Sequence, residues 1–227
     1  MEETRFGEYV SFTFFKADLV WRRLPKEVKE DGVGEFLKVL ESHHGQVVIR
    51  PYSTVGMRAD ADFLLWLSSK ELRAIQDLIA DLRKTGLGAY LDTPYAYLAM
   101  TRESVYLKEH KHSPFVTIEQ GQGEYLFVYP FVKTTDWYLL PFEERQQMMN
   151  EHFKVGHEFP TIRINTTYSF GLDDQEFVLA FEADSPYDFL KLVMRLRETQ
   201  ARRYTLRDTP IFTCVKRPVE EILRSLG

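Results

Sequence analysis

The sequence predicts an α+β chain made of two ferredoxin-like βαββαβ units. Two observations carry this: an internal repeat, and strand-type and helix-type apolar patterns that run twice in the same order. The segment DFLLWLSSKELRAIQDLIADLRKTGLGAYLDTPYAYLAMTR, ending at Arg102, resembles EFVLAFEADSPYDFLKLVMRLRETQARRYTLRDTPIFTCVKR, ending at Arg217. Leu82-Arg-Lys-Thr85 matches Leu196-Arg-Glu-Thr199, and Asp92-Thr-Pro94 matches Asp208-Thr-Pro210, with anchor spacings that differ by two residues. Two ordered matches about half a chain apart argue for duplication.

Each half then reads as strand, helix, strand, strand, helix, strand. In the first, residues 9–15 form a strand, about 24–42 a helix and 46–54 a strand. The short apolar run 62–67 is the third strand. Residues 70–84 place Leu72, Ile75, Leu78, Ile79 and Leu82 at the helical period. Pro94 opens the closing strand, a position proline tolerates. In the second half the corresponding pieces are 124–132, 142–155, 161–169, 176–181, 186–199 and a strand opened by Pro210. Helices that cover one face of such a sheet leave the other to be buried by a partner. Two halves in one chain can supply each other's partner and form a barrel-type core. The boundaries are 1–104 for the first half, 105–123 for a polar, glycine-containing connection and 124–227 for the second half.

Bulk properties exclude several functions. A net charge of −5 gives no global pull toward nucleic acid or anionic membranes. The single cysteine, Cys214, excludes a disulfide scaffold and a cysteine-cluster metal site. The opening residues MEETRFGEYVSF lack the basic-then-apolar order of a secretory signal. Apolar runs such as FLLWL are too short to span a bilayer. A cytoplasmic location is expected.

The stretch EYLFVYPFVK poses the functional question. As a strand it lines up Tyr125, Phe127, Tyr129, Phe131 and Lys133 on one face. Taken alone, that is a core face with a terminal lysine that snorkels; a pocket for a large, flat, anionic ligand would use the same arrangement. The next helix opens at Pro141, with Glu143 and Glu144 in its first turn. Spacing of three and four puts Met148, Met149, His152 and Val155 on one face. The plain reading of His152 is a core histidine bonded to a backbone carbonyl; the functional one is a single axial ligand to a metal macrocycle. His112, in HKHSPF, reads as a loop residue. Asp173-Asp174 marks a tight turn. Arg202, Arg203 and Arg207 form either a solvated basic face or a carboxylate clamp.

YPFVKTTDWYLLP, then MMNEH, then NTTYSFGLDD and EF resemble the chlorite dismutase family, and within it the coproheme decarboxylases of bacterial haem synthesis. The resemblance is strongest over about residues 105–217. It implies peroxide-dependent oxidative decarboxylation of iron-coproporphyrin III to haem b. It makes His152 the axial iron ligand and Tyr129 the tyrosine that forms a radical beside a propionate. Lys133 falls where a basic residue meets the propionates, and His112, seventeen residues before Tyr129, matches a distal base. Phe131, Trp137, Met149 and Ile164 line or support the pocket, and Arg202 and Arg207 are candidate carboxylate partners. A homopentamer and a coproporphyrin ferrochelatase partner are further implications. Chlorite-splitting relatives carry a distal arginine where Ile164 stands, allowing one residue of slip to Asn165; its lack implies poor chlorite splitting. A chlorite- or peroxide-consuming haem enzyme and a haem carrier without turnover are the alternatives.

Overall fold

The computed structural model describes residues 7–102, 104–106 and 121–227. In chain order the elements are β1 (Tyr9–Ala17), α1 (Lys26–Ser42), β2 (Val48–Ser53), β3 (Phe63–Ser69), α2 (Leu72–Arg83), β4 (Leu91–Met100), β5 (Tyr125–Lys133), α3 (Thr135–Leu139), α4 (Phe142–His157), β6 (Arg163–Tyr168), β7 (Phe177–Ala183), α5 (Pro186–Leu196), β8 (Thr205–Arg207), β9 (Phe212–Lys216) and α6 (Val219–Arg224). They form two compact units: Met1–Thr101 with Phe212–Gly227, and Arg102–Ile211.

In the first unit, β1 pairs with β3 and β4, and β2 pairs with β3 and β9, all antiparallel. The order β4-β1-β3-β2 is that of a ferredoxin-like sheet. Every residue of β3 is buried, in keeping with its apolar FLLWL run. Its core joins Phe63, Leu65 and Leu67 of β3 to Phe36 and Leu40 of α1 and to Ile75, Leu78 and Leu82 of α2. These α2 residues keep the spacing that predicted the helix.

In the second unit β7 lies between β6 and β5, and β8 pairs with the far end of β5. The helix-facing core consists of Phe127, Tyr129 and Phe181 from the sheet, Val155 from α4, and Phe189 and Leu192 from α5. The rings of Phe127 and Phe189 stack at 3.9 Å. The α5 helix starts as its sequence requires: the Ser185 side chain accepts from the Asp188 N–H, and proline occupies the first turn.

The C-terminal boundary differs from the one read in the sequence. Residues 124–227 were expected to stay together, but Phe212–Gly227 belongs to the first unit. Ladder pairing and packing decide this. Tyr52 and Ser53 of β2 pair with Lys216 and Val215. Phe212 stacks on Phe14 at 4.0 Å, and Ile222, Leu223 and Leu226 sit in the first unit's core. The repeated Asp-Thr-Pro anchor also diverges. Asp92-Thr-Pro94 lies inside β4, whereas Asp208-Thr-Pro210 lies between β8 and β9. The helices α3 and α6 and the strand β8 have no counterpart in the sequence reading.

Candidate functional site

The aromatic face of β5 is buried as one block. Phe127 and Tyr129 belong to the second unit's core, and Tyr125 and Phe131 pack against it. Strand alternation puts all four on the helix side. Tyr129 is 8% exposed. Its ring lies parallel to that of Phe181 at 5.8 Å. Among the described residues its hydroxyl has no hydrogen-bond partner. Burial pushes the phenol pKa up, the nearby Asp208 carboxylate pushes it further, and Arg197 and Arg202 oppose. The phenol therefore keeps its proton at neutral pH. Half-buried Phe131 meets Phe177 edge-on at 6.3 Å.

Lys133 ends the strand. Its backbone N–H donates to Glu176 Oε2 at 2.7 Å. Its ammonium donates to the Ala201 carbonyl at 3.2 Å and sits 4.1 Å from the Trp137 ring centroid. Among the described residues no carboxylate forms an ion pair with it. Burial lowers its pKa to about 8, against the pull of Glu176 and with a small push from Arg202. Trp137 comes from α3, directly after β5, and is 3% exposed. It is wedged between Tyr204 at 5.6 Å and Tyr106 at 6.3 Å.

His152 stands on α4, half-buried like Met149 beside it. Burial lowers its pKa to about 4; the charge of Lys133 acts in the same direction and Glu151 against it. Its imidazole is thus neutral, and among the described residues it makes no hydrogen bond. A core histidine satisfied by a backbone carbonyl is not what the structure shows. A neutral ring nitrogen with no proton donor is what a metal ligand needs.

The site's far wall is β6. A Cβ on Gly156, four residues after His152, would meet only the Ile164 side chain, at 3.8 Å. Ile164, which is 38% exposed, therefore points toward α4. Asn165 points to the opposite face, 3% exposed, with Nδ2 on Glu182 Oε1 at 3.3 Å. Of the two residues named for this position, Ile164 faces the helix and Asn165 does not. Glu182 is fully buried, and its Oε2 accepts from the backbone of Gln122 and Gly123 at 2.8 and 3.1 Å.

Part of the arginine cluster already holds a carboxylate. Arg202 Nη1 and Arg197 Nη2 both bind Asp208 Oδ2, at 2.7 and 2.8 Å. The carboxylate they hold is the chain's own. Arg207 is exposed and forms no ion pair among the described residues. His112 lies outside the described residues. Sequence reasoning missed Arg197, Asp208, Tyr106 and Arg145. Asp208 had been noticed only as half of a repeat, and nothing in the sequence paired it with arginines six and eleven residues upstream.

In the second unit, α4 carries a neutral histidine and packs through Val155 against the aromatic face of the sheet. The family model described as "Chlorite dismutase" matches residues 29–217. The chain belongs to the chlorite dismutase family. It is 38% identical over 197 residues to a protein of Mycolicibacterium smegmatis named "Coproheme decarboxylase", covering 86% of this chain and 84% of that one. It is 25% identical over 229 residues to the "Chlorite dismutase" of Ideonella dechloratans, covering 97% and 80%. The crystal structure of an arginine-to-glutamate variant of chlorite dismutase from Candidatus Nitrospira defluvii matches with a TM-score of 0.91 at 27% identity, covering 98% of this chain and 97% of that one.

Proposed function

We propose that this protein binds iron-coproporphyrin III through His152 and decarboxylates two of its propionates with hydrogen peroxide, yielding haem b. One observation carries the reading: a neutral imidazole, without a hydrogen bond among the described residues, on the helix that packs against the sheet face bearing a buried tyrosine and a desolvated lysine. The 38% identity to a protein named for this activity supports it. Among the described residues no group of three or more His, Cys, Asp or Glu could hold a bare metal ion. A macrocycle supplies four ligands of its own and asks the protein for one, so the residues present fit it.

Bound iron with peroxide supplies the oxidising equivalents. The chain's residues do the rest. His152 fixes the iron. Phe131, Trp137, Met149 and Ile164 give the plane apolar walls. Lys133 meets a propionate as an ammonium ion. Tyr129 would give an electron and its proton to the bound oxidant and, as a radical, take a hydrogen atom from the β-carbon of that propionate; passing one more electron to the oxidant, the side chain would then lose its carboxylate as carbon dioxide and leave a vinyl group, while peroxide is reduced to water. His112 takes the peroxide proton. The same reading makes the chain a cytoplasmic homopentamer that receives its iron porphyrin from coproporphyrin ferrochelatase.

The direct test mixes the protein with ferric coproporphyrin III, adds peroxide and follows the porphyrin by mass. Loss of two carbon dioxide units supports the reading; unchanged porphyrin overturns it and favours a carrier. Chlorite offers the second discrimination. With Ile164 in place of a guanidinium, an oxygen electrode should record little oxygen before the haem bleaches. Sustained evolution would assign the chain to the chlorite-splitting branch.

The depressed pKa of Lys133 gives a pH signature. Its ammonium is present below about pH 8 and is lost as pH rises through that value. Coproporphyrin affinity should therefore fall between about pH 7 and 9, a window displaced upward to the extent that bound carboxylates stabilise the cation. Lys133→Met should remove the step. A pH-independent affinity in wild type would show that Lys133 does not meet the ligand.

A further inference from the structure

Lys191, Arg195, Arg197 and Arg202 of the second unit pair with carboxylates; Arg145 on α4 pairs with none among the described residues, and part of its guanidinium is buried. Its Nε–H is buried with no acceptor. Its Nη1 reaches only the Tyr106 hydroxyl, at 3.5 Å, too far for a strong bond. Among the described residues no carboxylate lies within ion-pair distance. Arg197 and Arg202, by contrast, close on Asp208. A buried N–H without an acceptor is costly, and such a group calls for an explanation.

Its placement supplies one. Arg145 precedes His152 by seven residues, which is two helical turns, so both lie on one face of α4 about 10 Å apart along the axis. A macrocycle held by His152 would extend along that face, and its peripheral carboxylates would come within reach of Arg145. Rings hold the guanidinium in place. It sits 5.7 Å from the Phe142 centroid. Tyr106 lies flat on Phe142 at 5.6 Å, and the Tyr106 carbonyl is gripped by Gln146 Nε2 at 3.0 Å. Trp137 touches Tyr106 on one side and carries Lys133 on the other. Two cations with no carboxylate partner among the described residues thus stand at opposite ends of one aromatic ridge.

We infer that Arg145 binds a peripheral carboxylate of the iron porphyrin, one other than the propionate held between Tyr129 and Lys133. The inference rests on the function proposed above and assigns a second anionic subsite to it. A planar guanidinium suits a carboxylate because two N–H groups meet two oxygens.

The test compares ferric coproporphyrin III, with four carboxylates, and its tetramethyl ester, with none, by fluorescence-quenching titration of wild type, Arg145→Gln and Arg145→Lys. Arg145→Gln should weaken coproporphyrin binding about 10–100-fold, the range for one charge-assisted bond, and leave the ester unaffected. Arg145→Lys should recover part of the loss. The ligand-free Arg145→Gln protein should melt no lower than wild type, because it loses only a long contact to Tyr106 and a buried N–H that has no acceptor. Equal weakening for both porphyrins, or none for either, would overturn the subsite. Wild type that takes up neither porphyrin would remove the reading on which it rests.

Discussion

The Tyr129→Phe protein is expected to bind ferric coproporphyrin III as wild type does and to release no carbon dioxide on adding peroxide. The ring fills the same space against Phe181 and keeps its stacking. Only the hydroxyl goes, and with it the group that can yield an electron and a proton. Folding should not suffer. The hydroxyl has no hydrogen-bond partner among the described residues; removing such a group changes stability by no more than about 1 kcal/mol. Headspace analysis for carbon dioxide, with an affinity measurement on the same sample, separates the two effects. Full product formation by the phenylalanine protein would end Tyr129's role, and loss of binding would make it a packing residue.

The second large effect belongs to His152→Ala. The ferric complex should lose the axial nitrogen signature in its electron paramagnetic resonance spectrum. Added imidazole should restore it, because truncation leaves a space of the shape the small molecule needs. An unchanged nitrogen signal in the variant would mean that another residue holds the iron. Among the described residues the alternatives are poor. His157 is exposed at the end of α4, and His43 and His44 lie in the first unit, where His43 Nε2 already meets Asp81 at 3.2 Å.

Much of this was readable in the chain. Leu72, Ile75, Leu78 and Leu82 announced α2 because an amphipathic helix repeats its apolar side every three or four residues. Tyr125 to Phe131 announced a strand with one aromatic face, and the histidine on α4 followed from counting. What escaped was non-local. The Asp208 carboxylate is drawn to Arg197 and Arg202 by the turn between β8 and β9, and short β8 has too few residues to show a period. Arg145 was passed over because a charged residue in the second turn of a helix looks solvated; only the surrounding rings show that its Nε is enclosed. The choice between Ile164 and Asn165 turned on which face of β6 each occupies, and alternation alone cannot say which face is which.

The return of residues Phe212–Gly227 to the first unit also bears on how the chain is made. Folding of that unit cannot finish as its own residues leave the ribosome. Ile222, Leu223 and Leu226 reach a core whose other members, such as Phe36 and Leu78, were translated well over a hundred residues earlier. The intervening unit, Arg102–Ile211, is complete first and can fold while the earlier one waits with part of its apolar surface uncovered. Contacts of such long sequence separation slow folding and prolong exposure to chaperones. The late segment works as a latch: the half that is synthesised first is the half that is closed last.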